Sequence, residues 1–195
     1  MQIDKTQLIT ILKEKYDYEV QRKLHFESIL NIPVTMLGLL SAGIFYVLNL
    51  SPNHSYLWFN EIKPWCVGIN MVSFTTSIVL IILFYFGYKR EYKSFPNSDE
   101  VSTNFTELSE YYDKITPGLT LLELIFNPSK REKEIDAKTN ERFKQNIIGW
   151  YVEINTHNSS INDYRGTLLF GAKFFIGISY LILILTYALS LANRF

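Results

Sequence analysis

The sequence predicts an all-α integral membrane protein with three transmembrane helices and a helical region on the cytoplasmic side. Three observations predict it. Residues 29–50, 66–88 and 174–192 contain no Asp, Glu, Lys or Arg, and each run has roughly the 17–25 residues with which a helix crosses about 30 Å of hydrocarbon. A helix facing water would break such runs with charge on its solvent side. The polar segments carry apolar residues at three-and-four spacing, the mark of a helix with one buried face. Lys and Arg gather beside some ends of the runs and avoid others, as they do across a bilayer.

The 195 residues suffice for one compact unit, with 19 basic and 19 acidic side chains, all outside the three runs. A neutral chain with too few clustered charges for a basic stripe is not expected to bind nucleic acid directly. The aromatic content, 14 Phe, 13 Tyr and 3 Trp, suits a bilayer, where Tyr and Trp settle at headgroup level. Trp58, Trp65, Tyr46, Tyr85 and Tyr88 lie near the run ends. The single cysteine, Cys66, cannot form an intrachain disulfide and reads as a small apolar residue at the interface.

Residues 1–28 read as a cytoplasmic amphipathic helix. Leu8, Ile11, Leu12, Lys15, Tyr18 or Glu19, Arg22 and Phe26 form its stripe, and Asp4 is a candidate cap. The segment is charged and periodic, and the run after it exceeds the 7–15 residues of a signal h-region, so no cleaved leader is expected. Pro33 fits either the first turn of the first span or a kink in one continuous helix. Residues 29–88 form a two-span hairpin, whose loop, 51–64, has turn residues at both ends and Lys63 as its one basic side chain.

Residues 89–165 read as a cytoplasmic helical region. It opens on a basic stop, Lys89, Arg90 and Lys93, and a polar turn at 95–99. A short helix over 104–115, capped by Thr103 or Asn104, ends at Pro117-Gly118. Residues 119–126 are apolar but too few to cross a membrane; with Glu123 in the middle they favour a helix on the membrane or against neighbours over a strand. From Ser129 the chain has no proline. Ile135, Phe143, Ile147, Trp150, Tyr151, Ile154, Ile161, Tyr164 and Leu168 then trace a helical stripe running, with a candidate break at 157–160, into the third span at 166–195.

Lys13, Lys15, Arg22 and Lys23 precede the first span, Lys63 alone lies in the hairpin loop, and only Arg194 follows the third span. Arg165 and Lys173 flank the entry to that span. This bias places the N-terminus and the 89–165 region in the cytoplasm and the C-terminus outside the inner membrane.

Catalytic patterns are missing: no paired-His zinc spacing, nucleophile elbow or phosphate-cradling glycine loop. His25, His54 and His157 fall in three separate regions. No enzyme, metal or cofactor is expected. Two polar constellations remain. In the second span Asn70, Ser73 and Ser77, with Thr76 less well aligned, share a side; they serve either as glue between helices or as the lining of an aqueous path in an oligomer. The first span adds Gly38 and Ala42, a small-xxx-small pair that lets backbones approach. Ahead of the third span, Asn155, Asn158, Asn162 and Arg165 repeat at three, four and three residues. Such a face is a solvated surface, a set of hydrogen-bonded layers between helices, or a docking surface for a cytosolic partner.

Residues 151–173 (YVEINTHNSSINDYRGTLLFGAK), which open into a span, resemble the juxtamembrane segment of small bacterial membrane proteins with two to four spans encoded beside antiviral defence genes. These include SLATT-like effectors and membrane accessory proteins of some CRISPR systems. The resemblance covers the hairpin and this segment, and it implies a homo-oligomeric pore or membrane-perturbing assembly triggered from the cytosol, with a cytosolic defence protein as a possible partner. Some such proteins carry a soluble sensor domain; none is expected here, so direct recognition of a nucleotide messenger is not implied. A non-conducting anchor that recruits a partner is the rival reading. A transporter subunit, which would need intramembrane charge or broken helices, is the weaker one. A polar face such as Asn70–Ser73–Ser77 would meet lipid in a single three-span copy, and homo-oligomerisation resolves that cost.

Overall fold

The computed structural model describes residues 4–49, 57–86, 91–120 and 127–192. Among them every regular element is an α-helix and no strand occurs. The helices are α1 (Lys5–Ile29), α2 (Asn31–Asn49), α3 (Leu57–Phe86), α4 (Ser98–Ile115) and α5 (Lys130–Ala192). Three helical stretches are long and apolar enough to cross a membrane, one ending in α2, one in α3 and one in α5. The chain divides into two compact units. One comprises Met1–Val20 with Tyr92–Ser160, the other Gln21–Glu91 with Ile161–Phe195.

In the first unit, the opening half of α1 turns Leu8, Leu12 and Tyr16 partly inward and buries Glu19 beside Lys15, 2.6 Å away. Ile11, Lys15 and Tyr18 lie on the outer side. The stripe read from the sequence is therefore rotated by about one residue. Lys15 accounts for part of that shift: its ammonium sits 4.7 Å from the Tyr18 ring centroid, so a charged stem and an amphipathic ring cover one another outside.

Helix α4 starts at Ser98, six residues ahead of the expected start, with Asn97 at its N-cap and no side-chain capping bond. Asp99 and Glu100 occupy its first turn, where carboxylates meet the positive end of the helix dipole. Thr103 and Asn104 thus lie inside the helix, and Asn104 Oδ1 accepts from Asn146 Nδ2 at 2.9 Å. Thr116, extended as a residue before proline tends to be, ends the helix with its N–H on the Tyr112 carbonyl. Arg131 reaches back to this end, 2.8 Å from the Asp113 carboxylate and 2.6 Å from the Asp113 carbonyl. The apolar segment 119–126 falls for the most part, 121–126, outside the described residues.

Helix α5 runs from Lys130 to Ala192 without the break considered at 157–160. No proline removes a hydrogen bond along it, and isolated glycines cost only about 1 kcal/mol each relative to Ala. In the first unit Ile135, Tyr151 and Ile154 are buried and Phe143 meets Phe105 edge to face at 5.1 Å. In the second, Ile161 and Leu168 are buried, but Tyr164 of the expected stripe points outward, 47% exposed.

The second unit holds α2, α3 and the latter part of α5. A single turn residue, Leu30, separates α1 from α2, and Pro33 is buried in the first turn of α2. There its missing N–H costs little, so the first-turn reading describes it. Helix α3 begins at Leu57, which shortens the expected 51–64 loop and puts Pro64 inside the helix. Residues 50–56 and the basic pair Lys89 and Arg90 lie outside the described residues. Leu30, Ile81, Phe84, Leu168, Leu169 and Ala172 form the core of this unit. Two glycines of α5 permit the contact: a Cβ at Gly166 would lie 3.3 Å from Phe26 Cζ, and one at Gly171 would lie 3.2 Å from Leu80 Cδ1.

Ile154 is buried in mid-α5, far from either end. Ile154→Pro removes one ladder bond and clashes with the preceding turn, so it should destabilise the first unit by about 3 kcal/mol or more. Thermal unfolding with circular dichroism measures this. A variant as helical and as stable as the parent would show that α5 is not continuous there.

Candidate functional site

The Asn70–Ser77 face lies in the second unit, and the Asn155–Arg165 ladder is divided between the two. Asn155 and Asn158 belong to the first, Asn162 and Arg165 to the second. All four are buried, none more than 6% exposed. The four side chains are thus turned away from solvent within the chain. Polar residues at helical spacing tell which residues share a side, not what that side meets.

Asn155 Nδ2 donates to the Leu12 carbonyl of α1 at 2.8 Å. Asn158 holds the extended segment that precedes α4. Its Oδ1 accepts from the Lys93 N–H and its Nδ2 donates to the Lys93 carbonyl, both at 2.9 Å. One amide thus pairs both main-chain groups of one residue, as a neighbouring strand would. Three further contacts fix the segment. The Lys93 ammonium bonds Glu153, and the Phe95 ring lies 4.6 Å from Tyr151 and 5.8 Å, edge to face, from Trp150. The hydrogen bond from Lys93, and then its charge, hold the Glu153 carboxyl below the usual carboxylate range. Burial, followed by the charges of Asp17 and Tyr16, pushes the Tyr151 phenol up.

In the second unit the Arg165 guanidinium lies over the Phe84 ring, 4.4 Å from its centroid, and 3.7 Å from Glu27 Oε1. Arg22 reaches Asp163 at 2.6 Å. A guanidinium is weakly hydrated and stacks on aromatic faces, which suits it to a buried position that an ammonium would resist.

Asn70, Ser73 and Ser77 of α3 are buried within the same chain, at most 5% exposed. Asn70 Nδ2 donates to the Ser179 carbonyl at 2.9 Å, and Ser179 Oγ donates to the Asn70 carbonyl at 3.2 Å. Ser77 Oγ donates to the Ser73 carbonyl at 2.8 Å. Thr186, two turns beyond Ser179 on the same helix, is buried as well, with its hydroxyl on the Ile182 carbonyl at 2.7 Å. Together these residues make a polar seam between α3 and α5. The expectation that the α3 face would meet lipid in one copy is thereby corrected: all three residues are buried within the chain, with α5 bonded to Asn70. Thr76 stands off the seam and donates to its own Val72 carbonyl. Sequence reading did not single out Ser179 and Thr186, although both lie in the third apolar run at a spacing of seven.

Gly38 and Ala42 are exposed on α2, with nothing within 4 Å of a Cβ built at Gly38. Other polar side chains of that helix satisfy themselves: Thr35, Ser41 and Asn49 donate to the carbonyls of Asn31, Gly38 and Phe45. Among the described residues no group of three or more His, Cys, Asp or Glu is placed to hold a metal ion. No family model matches the sequence, and neither a curated protein nor a solved structure shows significant similarity to it.

Asn158→Leu keeps the branched shape of the side chain but orphans both main-chain groups of Lys93. It should cost about 1–3 kcal/mol, and the Lys93 amide should exchange with solvent far faster. Lys93→Ala should cost much less, because an exposed ion pair is screened by water. Hydrogen exchange and thermal unfolding on both variants check this, and equal costs would show that the amide clamp does not hold the segment.

Proposed function

We propose that this chain is a bacterial inner-membrane effector or accessory protein of antiviral defence. It acts as a homo-oligomeric pore or membrane-perturbing assembly when a cytosolic signal or defence protein engages residues 1–28 and 89–165. The N-terminus faces the cytoplasm and the C-terminus the outside, as the Lys and Arg bias requires. Beyond the likeness of residues 151–173 to such proteins, the supporting observation is the polar seam. Asn70, Ser73, Ser77, Ser179 and Thr186 are buried side by side in otherwise apolar spans, and intramembrane polar groups mark paths for water and ions more often than lipid-facing positions do. Because this face of α3 is buried within the chain, contacts between copies fall to outer faces such as that of Gly38 and Ala42, where backbones can approach closely.

The reciprocal Asn70–Ser179 bonds favour a second reading. They tie two spans together and use up donors that a water file would need, which is what a non-conducting anchor requires. Dye release from liposomes holding the purified protein separates the two. The effector reading expects release, and expects Ser73→Ala with Ser77→Ala to reduce it severalfold while assembly size and thermal stability hold, because an apolar constriction dewets. No release at any protein-to-lipid ratio, with or without cytosolic extract, would leave the anchor. Release untouched by the double substitution would put the path elsewhere.

A further inference from the structure

Lys173 stands immediately before the third charge-free run, 174–192, but its neighbours place it deeper. In the second unit α3 runs antiparallel to α5: Leu80 lies against Gly171, and Asn70 against Ser179. Lys173 falls between these two contacts, and so at a level inside the charge-free run 66–88 of α3. From Leu80 to Phe86 that helix continues for about 9 Å without a charge. The α1 side agrees. Phe26, just ahead of the run 29–50, lies against Gly166, about 10 Å before Lys173 along α5.

Lys173 is exposed, and among the described residues it has no ion pair, hydrogen bond or ring contact. The carboxylates nearest the entry of the span are engaged, Asp163 by Arg22 at 2.6 Å and Glu27 by Arg165 at 3.7 Å. The other acidic residues of the unit, Glu61 and Glu91, lie outside the α3 run. Beside Lys173, Phe170 and Phe174 are 72% and 55% exposed. A full charge thus occupies an outward, apolar face at span depth, where an ammonium is costly unless its head reaches polar groups.

We propose that Lys173, with Phe170 and Phe174 beside it, is a binding site for an anionic phospholipid, whose phosphate takes the ammonium and whose acyl chains lie on the two rings. Helix side chains lean toward the N-terminus, which for α5 is the direction of the near edge of the apolar zone. A four-carbon stem lets the ammonium reach that edge while its methylenes stay in hydrocarbon. The first acceptors it meets there are phosphodiester oxygens. A headgroup with an ammonium of its own offsets its phosphate; phosphatidylglycerol has none, so the lysine favours it. The site rests on the reading of α5 as a membrane span within the proposed function, and it is independent of conduction.

Native mass spectrometry of the full chain, released from nanodiscs of equal phosphatidylglycerol and phosphatidylcholine, counts the lipids retained. The parent should keep phosphatidylglycerol in preference. Lys173→Gln should lower that preference about fivefold, the worth of one basic residue beside an anionic leaflet, and Lys173→Arg should keep it. Lys133→Gln, the same loss of charge at an exposed lysine outside the spans, should leave it unchanged. Equal preference in the parent and Lys173→Gln, or an equal fall in Lys133→Gln, would overturn the site. So would a smaller assembly in Lys173→Gln with lipid preference intact, which would give the ammonium to a carboxylate of a second copy. A chain that keeps no lipid at all would end the reading of α5 as a span, and the site with it. A chain that conducts nothing but shows the expected lipid pattern keeps the site without the pore.

Discussion

Asn70 and Ser179 each donate a side-chain proton to the other's backbone carbonyl, and the packing of the second span on the third turns on that exchange. Hydrocarbon offers no water to a stranded donor. Apolar side chains give helices little reason to associate in lipid, since the tails around them are equally apolar. A paired exchange supplies direction where the hydrophobic effect does not. It sets which residues of α3 meet α5, and so brings Ser77 and Thr186 inside with it.

Polar side chains elsewhere in the spans follow a different rule. Thr35, Ser41, Asn49 and Thr76 return their protons to carbonyls three or four residues earlier. Such a group is satisfied within its own helix and can face lipid at small cost. Tyr180, by contrast, reaches the Met36 carbonyl of α2 at 2.9 Å. The second unit is therefore tied together by a few groups that bond across helices, against a background of many that do not. The first unit uses the same device outside the apolar runs, with the Asn155 and Asn158 amides satisfying main-chain groups of Leu12 and Lys93.

Much of the architecture was legible in the residues. Charge-free runs mark the three helical stretches long and apolar enough to cross a membrane, and the lack of proline after Pro128 announces the length of α5. The partners of the polar residues were not legible. Asn155, Asn158 and Asn70 bond to backbone carbonyls, which every residue possesses and no side chain advertises. Spacing alone thus left the Asn155–Arg165 ladder open between water, helix and partner, and left the Asn70 face looking as though it needed a second copy. Of the charged residues read into the stripe of α1, Lys15 lies outside and Arg22 stays half-buried; both are long enough to lie along an apolar surface and still reach water, so type alone does not fix their side. Helix α4 began early since Asp99 and Glu100 favour a first turn even without a side-chain cap.

A double-mutant cycle on Asn70→Ala and Ser179→Ala, read by unfolding in lipid, tests most directly whether the seam is built within one chain. The exchange predicts a coupling energy of about 0.5–2 kcal/mol, the range of interhelical hydrogen bonds in membranes, unchanged as the protein is diluted in lipid. Additive effects, or a coupling that disappears on dilution, would contradict it.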